Sequence, residues 1–344
     1  MAIVTTKAES HRSAVIQWGR RPRRGVRVLV TAILSAASMG VLLWVAPPGQ
    51  VISSMGGMKP LWLLAAVALE LGSCLSYVLV FRRFFPEPPR KAGRQVAWIA
   101  MGASAVLPGG NLSSPASIGW LLRHHGIGAR CLLERSGALL SFLILFGFAV
   151  NGLAGAFLLV GIGHGPHDLG HSGIPIVVSL FVIGSAAAVM LLGRRYRGRG
   201  ATTARSIAAS LEGAWQSVAN PHWRLLGAAG FLWLDIAALW AACLATGHHL
   251  GALALAVAYF IGYVATMIPM PGGLAVLDSG LAGALVLYGF SPAASVSAVL
   301  VYHAISVWVP GVGGLVAWLP TRRRRLADTV PPAAQPQAAL APSP

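Results

Sequence analysis

Between Thr266 and Tyr288 the chain reads TMIPMPGGLAVLDSGLAGALVLY, an apolar stretch that breaks at Pro269, Pro271, Gly272 and Gly273 and then resumes. Leu253 to Ile268 before the break and Leu274 to Phe290 after it carry one charge between them, Asp278. Flanks that apolar belong in hydrocarbon. A helix broken there frees backbone N–H and C=O groups, which are tolerated only where they are buried in protein or line a watery cavity. A fainter copy of the break, LPGGNLSSPASIGWLLRHHG, occupies Leu107 to Gly126. In both copies the second glycine of the pair is followed by another glycine 16 residues on, Gly110 to Gly126 and Gly273 to Gly289. Two broken segments in corresponding halves of a membrane chain are the best pointer that sequence offers to a transport site.

Composition agrees with a membrane setting. Of 344 residues 56% are hydrophobic and 10% charged, against about 25% charged in a soluble domain. The formal charge of +17 sits in clusters at the ends of apolar runs, which fits loop topology and not nucleic-acid binding. Cys74, Cys131 and Cys243 lie in or beside apolar segments without metal-ligand spacing, and read as packing residues.

The order of runs and basic flanks gives a topology. A polar, basic segment, 1–25, precedes Val26 to Ala46, which has about the 20 residues needed to span and reads as an uncleaved first helix. A loop with Lys59 as its only basic residue leads to a second span, Leu61 to Phe81, followed by Arg82, Arg83, Arg90, Lys91 and Arg94. Basic residues collect on the cytoplasmic side, which places the N-terminus there. The first broken segment, Val96 to Leu107 and Leu112 to Leu122 around Pro108-Gly109-Gly110, begins and ends among basic residues. Its arms are too short for full spans, so it predicts a re-entrant hairpin. A third span, Ser136 to Gly161, leads to a loop with His164, His167, Asp168 and His171 but no Lys or Arg, hence external. The fourth span, Ile174 to Leu192, returns to Arg194, Arg195, Arg197, Arg199 and Arg205, and Thr203 to Val218 is amphipathic enough for the interface. The fifth, Trp223 to Leu244, precedes the second broken segment, and the last, Pro292 to Trp318, ends at Arg322 to Arg325.

The expected fold is therefore an all-α polytopic membrane protein with six full spans plus two re-entrant broken-helix hairpins. Each half reads span, span, hairpin, span, and the halves start on opposite sides: inverted repeats, 26–161 and 174–318, within one membrane domain, 26–320. The tail, 321–344, basic and then rich in Pro and Ala, is expected to be disordered. Both termini are expected in the cytoplasm, and the protein in the cytoplasmic membrane.

Ionisable groups inside a membrane are expensive and point to function by default. Glu70 and Asp235 lie at similar depth in equivalent spans, so a shared role competes with a packing role. Asp278, five residues past the second break, either caps the new helix or binds a cationic headgroup. Arg123, Arg130 and Arg135, with His124 and His125, follow the first hairpin. They either contact phosphate, for which guanidinium is suited, or only set orientation. His303 reads equally as a core histidine, a ligand or a proton carrier. The His164, His167, His171 and Asp168 set is interrupted by Gly and Pro, which argues against a metal site, and no cofactor motif is present.

IPMPGGLAVLDSGLAGALVLYGFSPAASVSAVLVYHAISVWVPGVGG resembles the C-terminal signature of the lysylphosphatidylglycerol synthase transmembrane-domain family, and LPGGNLSSPASIGWLLRHHGIGARCLLERSG its first-half motif. The family pattern is matched by Pro271, Gly272, Gly273, Asp278, Gly289, Tyr302, Trp308 and Pro310, over a resemblance covering about residues 26–320. Asp278 stands where the family usually has Glu, and His303 where it usually has Arg, which weakens phosphate binding at that position. The family's soluble acyltransferase-like region is not found after the membrane part. The resemblance therefore implies transport or flipping of a phospholipid or other amphiphile, not its synthesis, with membrane lipids as partners. The broken backbone at Pro108, Gly109, Gly110, Pro271, Gly272 and Gly273, together with Arg123, Arg130, Asp278 and His303, forms the expected substrate site. A non-catalytic scaffold for a separate lipid-modifying or cell-envelope enzyme is the alternative. An intramembrane enzyme built on Glu70, Asp235 and the histidines is disfavoured, because no nucleophile or metal set converges.

Overall fold

The computed structural model describes residues 49, 53, 56–106, 113–122, 127–163, 167–196, 198, 200–267 and 273–329. The expected first span, the N-terminal segment, the Pro108-Gly109-Gly110 turn, Arg123 and Pro271-Gly272 lie outside them. All regular structure in the described residues is helical, in ten α-helices: α1 (Pro60–Phe84), α2 (Arg90–Val106), α3 (Ser113–Leu122), α4 (Ala129–Leu159), α5 (Ile174–Gly193), α6 (Ala201–Ala219), α7 (Leu226–Ala245), α8 (Ala252–Met267), α9 (Gly273–Leu287) and α10 (Pro292–Thr329). Five segments are long and apolar enough to cross a membrane: α1, α4, α5, Trp223–Ala245 and Pro292–Pro320.

The helix ends follow local chemistry. Pro60 opens α1, where its missing N–H costs nothing, and Arg82 and Arg83 in its last turn favour the negative end of the helix dipole. The expected arm from Val96 starts six residues earlier, at Arg90, directly after Pro88-Pro89. Arg and Lys are good helix formers, so the basic flank joins the helix. The same applies to α4, expected from Ser136 and found from Ala129. At the other end of the chain, α10 runs past Trp318 and through the arginines to Thr329, so residues 321–329 of the expected disordered tail are helical. Arginine is a good helix former, so here too the basic run continues the helix.

The two broken segments each place a pair of helices against one another, α2 with α3 and α8 with α9. In the second pair a Cβ on Gly262 would lie 2.9 Å from the Leu281 Cβ. On one straight helix those residues would be about 28 Å apart. The arms therefore fold back, and α8 and α9 are antiparallel. Gly289 ends α9 with φ of 100°, and the Phe290 N–H reaches back to the Leu285 carbonyl at 3.1 Å. This left-handed terminus is open to glycine at least cost, which accounts for the glycine at that spacing.

The helix pairing is symmetric. Exchange α1 with α7, α2 with α8, α3 with α9 and α4 with α10, and the pattern of touching helices maps onto itself. Thus α2 against α10 becomes α8 against α4, α3 against α4 becomes α9 against α10, and α1 against α10 becomes α7 against α4. The equivalent helices α1 and α7 form the most extensive pair and run antiparallel. The Lys59 N–H donates to the Ala245 carbonyl at 3.2 Å at one end, Trp62 meets Trp240 with ring centroids 5.8 Å apart, and Gly227 meets Ser76 and Val80 toward the other. Equivalent helices that cross antiparallel mark an inverted repeat, since repeats related about the membrane normal would keep them parallel. Helix α6 has no counterpart among the described residues; it packs on α4 and α5, and Glu212 forms an ion pair with Arg194 at the end of α5.

Two apolar clusters fill the interior, one gathered around α1, α2, α3 and α4 and the other around α7, α8, α9 and α10. Each hairpin thus has its own core. Helix α5 buries little and exposes Ile174, Val177, Leu180, Phe181, Leu191 and Leu192, the surface of a segment facing lipid or another helix.

Candidate functional site

Small residues let α1 and α7 approach closely, as membrane helices require in the absence of a hydrophobic drive between them. A Cβ on Gly227 would lie 2.5 Å from the Ser76 carbonyl oxygen, and the Ser73 hydroxyl donates to the Phe231 carbonyl at 2.8 Å. Where the two helices cross, Glu70 meets Asp235, their carboxyl groups within hydrogen-bonding reach of each other. Both stand near the middle of their helices.

The rest of the second half closes on Asp235. From α10 the Tyr302 hydroxyl donates to Asp235 Oδ1 at 2.8 Å, and from α8 the Tyr259 hydroxyl donates to Oδ2. Glu70 is differently served. It is 5% exposed, the Cys74 thiol lies 3.8 Å from its Oε1, and its Oε2 has no donor among the described residues. The site therefore draws on α1, α7, α8 and α10, four elements of both repeats. The offset of about 163 residues that relates Gly110 to Gly273 carries Glu70 to within two residues of Asp235. Near-equivalent residues that touch lie at the pseudo-two-fold axis. The carboxyl pair is where the repeats meet.

Of the residues expected from sequence, Glu70 and Asp235 are brought together. Asp278 falls in the second turn of α9, and Gly273 is that helix's first residue. His303 lies in α10, half-buried, its carbonyl accepting from the Ser306 hydroxyl at 3.2 Å. Arg130 extends outward with its side chain 92% exposed and pairs with Glu134 one turn on, at 2.9 Å. Arg135 pairs with Glu87 in the α1–α2 loop. Partial burial pushes the Glu87 carboxyl up, but the hydrogen bond from Arg135, a backbone hydrogen bond and the guanidinium charge outweigh it and hold the group below its ordinary range. Of the histidine loop, His167 Nδ1 lies 2.7 Å from the Leu158 carbonyl, at the end of α4. Tyr259 was missed: a tyrosine in an apolar helix carries no signal of its own, and only its spacing of four from Tyr263 hinted at a polar face.

A family described as Lysylphosphatidylglycerol synthase TM region matches residues 27–314. The chain belongs to this family. No curated protein matches it. The match reaches through most of both repeats and takes in α1, α7 and α8, α10 as far as Gly314, and every residue of the C-terminal signature. Within that signature three lysylphosphatidylglycerol synthase TM motif residues have visible tasks. Gly289 turns the chain out of α9, Tyr302 holds Asp235, and Pro310 offers its carbonyl at the closest approach of α10 to Gly102 on α2.

Proposed function

We propose that the protein moves a phospholipid or another amphiphilic lipid across the cytoplasmic membrane, as a transporter or flippase and not as an enzyme that makes the lipid. The observation that carries this reading is the antiparallel crossing of α1 and α7 with polar side chains at the crossing. Inverted repeats in transporters hold their site at that interface, near the midplane, and alternate by rocking one repeat against the other. Membership of the lysylphosphatidylglycerol synthase TM family supports a lipid as cargo. In this reading α2–α3 and α8–α9 are re-entrant hairpins that enter from opposite faces. The headgroup site proposed is the one expected from the sequence, the two Pro-Gly-Gly turns with Arg123, Asp278 and His303, while Arg130 is engaged outward by Glu134. Both termini are cytoplasmic.

Reconstituted vesicles of phosphatidylethanolamine and phosphatidylglycerol, with a trace of chain-labelled phosphatidylglycerol, provide the test. Wild type is expected to equilibrate the label between leaflets faster than empty vesicles, with Asp278→Ala and Arg123→Ala slower by about tenfold, the loss of one charged contact. Equal rates in all four samples sink the proposal. Stable co-purification with a lipid-modifying enzyme in that case would favour a scaffold.

A further inference from the structure

The carboxyl pair presents an unfinished hydrogen-bond arrangement. Asp235 accepts a tyrosine hydroxyl on each oxygen, while Glu70, buried beside it, has one oxygen with no donor among the described residues. Ionised carboxylates only accept, so two of them in contact have no hydrogen to share. The groups that act on the pair are Cys74 on α1, Tyr259 on α8 and Tyr302 on α10, and the two carboxyls themselves. Tyr263, one turn along α8, is the next ionisable group in reach of Asp235. Among the described residues no Lys, Arg or His is one of the groups acting on either carboxyl. Two unneutralised charges side by side in a desolvated setting are costly. Two things relieve that cost, a proton or a metal cation. The geometry favours the proton. A metal ion needs several oxygen lone pairs aimed at one point, and each Asp235 oxygen already gives one of its two to a tyrosine hydroxyl, which leaves room for a shared hydrogen more readily than for a coordination shell. What the Glu70–Asp235 contact lacks is a single hydrogen.

We propose that Glu70 and Asp235 form one proton-binding site at the crossing of the two repeats, and that filling and emptying it is coupled to lipid movement. The proton lies between the carboxyls, donated by one and accepted by the other, with Tyr259 and Tyr302 steadying the remaining charge on Asp235. When it leaves, the two negative charges repel along the α1–α7 contact, the interface about which the repeats move. The coupling rests on the transport reading; the proton site does not.

Two measurements separate them. Infrared difference spectra of the purified protein in lipid nanodiscs, titrated with base, report the C=O stretch of a protonated carboxyl without any transport. Wild type is expected to show the band, shifted in D2O and lost on alkalinisation, and Glu70→Gln to abolish it. Asp235→Asn supplies a second lesion, and thermal unfolding establishes that each variant is folded. A missing band overturns the site. So does a band that persists at every pH, or one removed at constant pH by sodium, which would assign a metal cation. In the phosphatidylethanolamine–phosphatidylglycerol vesicles a proton gradient is expected to change the wild-type rate of label movement several-fold and to leave that of Glu70→Gln unchanged. An equal response in both overturns the coupling. No label movement in any sample removes the transport reading and the coupling with it, while the infrared result still decides the proton site.

Discussion

Asp235 and Glu70 differ in how the chain supplies them with partners. Asp235 receives donors from two other helices, whereas the nearest donor to Glu70 is a thiol of its own helix, weak by nature. The acids themselves were legible in sequence, because a carboxylate inside an apolar run is costly and stands out. Their tyrosine partners were not, since pairing across helices far apart in sequence depends on packing. Glu87 shows a simpler electrostatic tie outside the membrane. Its carboxyl is held below its ordinary value of 4.5 by Arg135 and a backbone hydrogen bond. A depressed carboxylate stabilises the fold above its unfolded-state value, and the contribution is lost as pH falls through the folded-state value. Thermal unfolding in detergent is therefore expected to show Glu87→Gln less stable than wild type near neutral pH, with the difference vanishing in acid below both values. An undiminished difference in acid would show that the ion pair is not its origin. The effect is small, since Glu87 and Arg135 are both partly exposed to solvent.

At the scale of elements, hydropathy located six of the helices within a few residues of where they stand: α1, α3, α5, α7, α8 and α9. The larger differences lie at the basic flanks of α2, α4 and α10, where charged residues continue the helix beyond the apolar core. A hydropathy boundary marks where a helix leaves hydrocarbon, while the backbone hydrogen bonds continue as long as the residues favour them. The Pro-Gly-Gly signal correctly divided α8 from α9, and their antiparallel contact follows from Gly262 meeting Leu281. Replacing both by cysteine, with Cys131 changed to serine, is expected to give an intramolecular disulfide on mild oxidation, because the Cβ atoms lie close to the range a disulfide needs. Loss of two maleimide-reactive thiols per chain reads it out. Full retention of both thiols would contradict the hairpin.

For the whole molecule, the inverted repeat makes a claim about sides. Leu169 and Arg195 stand at opposite ends of α5, both exposed. In intact cells a membrane-impermeant maleimide is expected to label Leu169→Cys and to reach Arg195→Cys only after permeabilisation. The reverse pattern, or equal labelling, would refute the orientation. Segment order and the placement of basic residues determined, from sequence alone, that the chain is a helical membrane protein with two broken segments in matching halves. Both signals are local, because hydropathy and charge act on each segment as it meets the bilayer. That Glu70 and Asp235 touch, that Tyr259 and Tyr302 close on the same carboxylate and that Arg130 turns outward to Glu134 were decided by tertiary structure. Those facts depend on which faces of the helices meet, and a run that is apolar all round carries almost no periodic signal to say which face is which. Small residues at the α1–α7 crossing settle that choice, and they act only once the two helices are side by side.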